Sequence, residues 1–207
     1  MSSVPEGRRS LSDFQTDHDL AKLRDEVTRF VENQFGFSYE KYRAKIEKYR
    51  QAHSKDENVE AITRRYIEKC DFFKDKFVPR EYDRVLDIIA DMDSAFTMGN
   101  SIFPSDTPAR FFEWLMRRIY INVAISKAYV LKREINYVIR TLSVDINKYY
   151  GFAKKIDHLV SMMKGVRQAD NRFLKAKGKK KTVDITNDLS HISECIIAII
   201  NKVKGNS

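Results

Sequence analysis

The sequence predicts an all-α protein: an up-and-down four-helix bundle with an N-terminal helical extension and a short C-terminal helix. Three observations carry this. Apolar residues recur in steps of three and four from residue 19 to residue 203, the period of a helix with one buried face. Glycine and proline are scarce, 7 and 4 among 207 residues, whereas a β-protein needs many tight turns. Hydrophobic residues make up 43% of the chain and charged residues 32%, enough to bury a core and solvate its outside.

Residues 1–17 are polar and expected to be irregular. Leu20, Leu23, Val27 and Phe30 then step as one helical stripe, and Gly36 interrupts it. Tyr39, Tyr42, Ile46 and Tyr49 repeat the step, with Ser38 placed to cap them. A break at 51–57 follows, in which Ser54 and Glu57 have capping-box spacing.

Four core helices are expected at about 58–76, 79–99, 108–142 and 145–173. The first carries Val59, Ile62, Tyr66, Cys70 and Phe73. After a turn at Phe77-Val78-Pro79, with Pro79 suited to a first helical turn, the second carries Val85, Ile89, Met92, Phe96 and Gly99. Two prolines in NSIFPSDTP end it. The third is apolar on more than one face: Leu115, Ile119, Val123 and Ile135, but also Ile121, Ile125, Val130 and Leu131. Such a helix belongs in the middle of a bundle or at a subunit interface. Asp145 can cap the fourth, whose Tyr149, Phe152, Ile156, Leu159, Met163 and Val166 form a heptad-like seam. A final stripe of Leu189, Ile192, Ile196, Ile199 and Val203 needs a surface to dock on. The division expected is 1–57 as N-terminal segment and extension, 58–175 as bundle core, and 176–207 as basic linker and C-terminal helix.

Charge is concentrated. The formal net charge is +9, and residues 162–181 hold eight lysines and arginines against one acid, Asp170. Such an excess suits a polyanion, because each cation paired with a phosphate releases condensed counterions. A solvated helix end leading to a basic linker accounts for it equally well. Arg117 and Arg118 interrupt the otherwise apolar third helix. They either face solvent or are carried into an interface or a nucleic-acid path. Phe111, Phe112 and Trp114 can stack on bases, but aromatics at helical spacing usually belong to a core.

Residue chemistry gives an enzyme reading no support. His18, His53, His158 and His191 have no metal-ligand spacing. Asp87, Asp91 and Asp93 lack a calcium loop and read as a solvated acidic face. There is no glycine-rich phosphate loop, so no cofactor and no metal are expected. Cys70 and Cys195 read as buried reduced thiols, with a disulfide as the alternative. No secretory signal or membrane span is apparent, so a cytoplasmic protein without membrane contact is expected.

Five strings in order, MSSVPEGRR at 1–9, FVPREYDRVL at 77–86, MGNSIFP at 98–104, MRRIYINVAI at 116–125 and MMKGVRQADNRF at 162–173, resemble the accessory variability determinant proteins of diversity-generating retroelements. Gly99, Ile121 and Val166 stand where that family usually has Ala, Gln and Trp. The resemblance implies a four-helix bundle assembled as a homopentamer. It also implies a non-catalytic subunit that binds the element's reverse transcriptase, its template RNA and the cDNA in mutagenic retrohoming. Arg117, Arg118, Lys164, Arg167, Arg172, Lys175, Lys177, Lys179, Lys180 and Lys181 would then contact nucleic acid or polymerase. The alternatives are a general RNA-binding bundle, of the type encoded in ribosomal-RNA intervening sequences, and a structural or protein-interaction bundle.

Overall fold

The computed structural model describes residues 11–104 and 109–171, with side chains from residue 14 onward. Every regular element among them is helical: α1 (Leu11–Glu32), α2 (Tyr39–Ala52), α3 (Val59–Phe72), α4 (Val78–Ser101), α5 (Arg110–Thr141) and α6 (Ile146–Ala169). None is long and apolar enough to cross a membrane.

Helix α1 begins earlier than its apolar pattern. Leu20, Leu23, Val27 and Val31 are at most 2% exposed. Thr16, one turn before them, is also fully buried, so the stripe starts on a polar residue and residues 11–17 are helical where irregular chain was expected. The chain reverses through a short turn, Gln34–Gly36, in which Gln34, Phe35 and Gly36 all have positive φ. The Phe35 ring is fully buried, and that burial offsets the backbone strain.

Helices α2 and α3 form an antiparallel pair, tied by Arg50–Glu60 at 2.7 Å and by the Tyr39 hydroxyl donating to Asp71 at 2.7 Å. The Ser38 side chain caps α2 as expected, accepting from the Lys41 N–H at 3.3 Å. The capping box expected of Ser54 and Glu57 does not cap α3. Asn58 precedes that helix, and the Asp56 carboxylate accepts the Asn58 N–H at 2.9 Å.

The expected turn at 77–79 is absent. A π-helical turn at Phe73–Phe77 joins α3 to α4 with every junction residue in the right-handed helical region. Pro79 has no N–H and would collide with the carbonyl four residues back in a regular helix. The wider π turn just before it removes that conflict. Helix α5 matches its expected span, and Asp145 caps α6 by accepting from the Asn147 N–H at 3.0 Å.

Four helices lie side by side, α1 on α4 and α6, and α5 on α4 and α6. Antiparallel register is fixed by Lys127–Asp91 and Arg84–Glu134 between α5 and α4, by Lys132–Asp157 between α5 and α6, and by Lys155–Glu26 and His158–Asp19 between α6 and α1. The set differs from the one expected. Helix α1, read as part of an insertion, fills the place given to 58–76, whereas α3 packs on α2 and the π turn. The physical reason is burial. The α1 stripe is covered completely, but on α3 Tyr66 is 45% exposed. The boundary expected at 57/58 therefore does not separate core from extension.

Helix α5 buries Ile121, Ala124, Ala128, Leu131, Ile135 and Val138. On its opposite side Phe112, Ile119, Val123, Val130 and Tyr137 remain 41–50% exposed, so it is apolar on two faces, as its sequence predicts.

A candidate nucleic-acid interface on α5 and α6

Three of the predicted cations come together where α6 runs beside α5. On α5, Trp114, Arg118, Asn122 and Tyr129 follow at intervals of four, four and seven, one helical line. Lys164 and Arg167 on α6, and Asn171 just past its end, follow at three and four. The antiparallel packing brings the lines edge to edge. Lys164 donates to the Tyr129 hydroxyl at 3.0 Å and lies 5.6 Å over its ring. Arg167 donates to the Asn122 side-chain oxygen at 2.8 Å. Arg118 lies 5.2 Å over the Trp114 ring and donates to the Asn171 side chain at 3.3 Å.

All these partners are neutral. The three side chains are held in place, yet none of those contacts cancels its charge. Tyr129 is 47% exposed, so an aromatic face lies beside the cations. Preset positive groups with an accessible ring are what phosphate contact and base stacking need. Lys132, by contrast, is neutralised by the Asp157 carboxylate at 2.6 Å; that hydrogen bond raises the lysine's pKa.

Arg117 is a correction. Predicted to meet nucleic acid or polymerase, it is 3% exposed and paired with Asp170, itself 1% exposed, at 2.8 Å. It also donates to the Gly99 and Ile102 carbonyls at 3.0 and 3.2 Å. Carbonyls at a helix C-terminus lack partners within the helix, so Arg117 ties the end of α4 to the end of α6. A charge this enclosed is available to no ligand. Its neighbour Arg118, about 100° round the helix, faces outward.

Arg172, Lys175, Lys177, Lys179, Lys180 and Lys181 lie outside the described residues, as do Cys195, His191, the final helical stripe and the first string. Cys70 is buried, and desolvation pushes its thiol pKa up. Asp91 and Asp93 are in ion pairs with Lys127 and Arg24. Among the described residues no cluster of His, Cys, Asp and Glu could hold a metal ion. Phe112, expected to be core, is half exposed.

Asn122, Tyr129 and Asn171 are site residues that the sequence pattern did not single out. A signal was present, because Asn122 and Tyr129 lie four and eleven residues after Arg118 on the same face. Three of the strings in the family resemblance meet at the Arg117 node. They supply Gly99 and Asn100, Arg117, and Asp170. Two departures also touch each other: a Cβ on Gly99 would lie 3.0 Å from Ile121 Cγ1 and 3.1 Å from the Arg117 carbonyl oxygen. Ile121 thus occupies space that an alanine at 99 would take. Val166 is fully buried. Comparison with protein-family models, with curated proteins and with solved structures finds no match to this chain.

Proposed function

We propose that this protein is a non-catalytic, cytoplasmic accessory subunit of a diversity-generating retroelement. It binds the reverse transcriptase and its template RNA, and supports error-prone cDNA synthesis in mutagenic retrohoming. The observation that carries the RNA half is the α5–α6 edge, where Arg118, Lys164 and Arg167 keep their charge on neutral partners beside Tyr129 and Trp114. The ordered strings support the identity of the polymerase partner. We further read α1, α4, α5 and α6 as an up-and-down four-helix bundle whose exposed α5 face joins copies into a homopentamer.

The test is co-purification with the reverse transcriptase encoded beside it, together with RNA binding across a salt series. Arg118→Ser/Lys164→Ser/Arg167→Ser should lower the slope of log affinity against log salt by about 2, at roughly 0.7 per phosphate contact to a single strand. A chain that binds RNA but no polymerase is instead the general RNA-binding bundle. A chain that binds neither sinks both readings.

A further inference from the structure

The line of polar residues on α5 does not end at Tyr129. Arg133, Asn136 and Arg140 continue it at intervals of four, three and four. With Tyr137 and Thr141 they line an open hollow of about 450 Å³. Tyr137 is 47% exposed. It is braced from behind by Phe77, whose ring centroid is 5.8 Å away.

Two more arginines lie on α4, beside residues that touch or neighbour Tyr137. The Arg80 guanidinium lies 5.7 Å over the same Phe77 ring and pairs with Glu81 at 2.7 Å. Arg84 pairs with Glu134 at 3.2 Å. Both carboxylates are buried while both arginines stay mostly exposed. The acids therefore anchor the arginines from below rather than covering them. Four guanidinium groups outnumber the two carboxylates beneath them, so an excess of positive charge faces outward around one exposed ring.

We infer that Arg133, Arg140 and Tyr137, flanked by Arg80 and Arg84, form a second RNA-contacting surface. The guanidinium groups hold backbone phosphates and the Tyr137 ring stacks on a base. This rests on the RNA-binding reading above and extends it. Arg118 and Arg140 are 22 residues apart on one helix, about 33 Å at 1.5 Å per residue, and share its α6-facing side. A single strand laid along α5 touches both surfaces. Planar guanidinium forks suit phosphate oxygens in pairs, and the exposed Tyr129 at the middle of the line and Tyr137 near its end give bases a face to stack on. An acidic protein surface could use the arginines, but the spaced rings favour a nucleic acid.

The full chain is titrated against a labelled single-stranded RNA long enough to span the line, across a series of salt concentrations. Arg133→Ser/Arg140→Ser should weaken binding at least about tenfold and lower the salt slope by about 1.4, the loss of two phosphate contacts. Arg133→Lys/Arg140→Lys should keep the slope. Tyr137→Ala should weaken binding about fivefold or more and leave the slope alone. All four arginines are exposed, so thermal unfolding of the serine variant should match the parent. If that variant binds like the parent while Arg118→Ser/Arg167→Ser is impaired, this surface is overturned and the α5–α6 edge stands. The surface is likewise overturned if the serine variant binds RNA normally but loses an acidic protein partner. If the parent chain ignores RNA, the RNA reading itself falls.

Discussion

Arg117 and Arg118 are adjacent in sequence and opposite in use. Arg117 is enclosed with Asp170, so removing one partner strands the other charge away from water. Arg117→Ala should therefore cost about 3–5 kcal/mol of stability in urea unfolding, whereas Arg117→Met/Asp170→Leu should recover much of that loss. Arg118→Ala should change stability by less than about 0.5 kcal/mol, as expected for a surface site, and lower RNA affinity instead. Glu134 predicts a pH effect. Burial, helped by the neighbouring Glu81, raises its pKa above 4.5 and outweighs the opposing pull of Arg84. The folded state therefore holds this proton where the unfolded chain has released it, and stability falls as pH rises from the ordinary carboxylate range towards the folded value. Glu134→Gln should flatten that part of the stability–pH curve, read from unfolding midpoints on both sides of pH 4.5.

At the scale of elements, the choice of which helices form the packed layer rests on burial. Leu23 on α1 is 2% exposed, between α4 and α6. Leu23→Ala should cost about 2–5 kcal/mol, whereas Tyr66→Ala on α3, removing a half-exposed ring, should cost far less, both measured by chemical denaturation. Helices α4 and α5 approach closely at Gly99, where an added Cβ would lie 3.1 Å from α5 backbone. Backbone cannot swing aside as a side chain can, so Gly99→Ala should cost about 1–3 kcal/mol by overpacking. How much of this was legible follows from the kind of signal each element carries. The 3.6-residue period marks α1, α4, α5 and α6 because each has a buried stripe, and Ser38 and Asp145 announce two helix starts by side-chain chemistry. The start of α1 was hidden because Thr16 is buried but polar. The α3–α4 junction was misread because proline reads as a break unless a π turn precedes it, and nothing local encodes that turn. Partner choice was not legible either. Periodicity says that a face is buried, not against what, so α1 and α3 looked alike. The basic residues were visible as types, but which ones face outward depends on helix phase, and this separates Arg118 from Arg117.

At the scale of the whole molecule, the described residues leave an apolar line uncovered on the outer face of α5, Ile119, Val123 and Val130, each more than 40% exposed. Scattered apolar residues on a surface are ordinary, but a continuous line along one helix marks a contact site. The proposed homo-oligomer would bury it and leave Lys164 and Arg167, on the α6 side of the line, free of the contact, as the RNA reading requires. Carboxylates enclosed in an apolar contact have no counter-charge and are costly to desolvate. Val123→Glu/Val130→Glu should therefore reduce the assembly, expected to contain five copies, to monomers by light scattering. A parent chain that is already monomeric would remove the assembly and leave this face without its proposed cover.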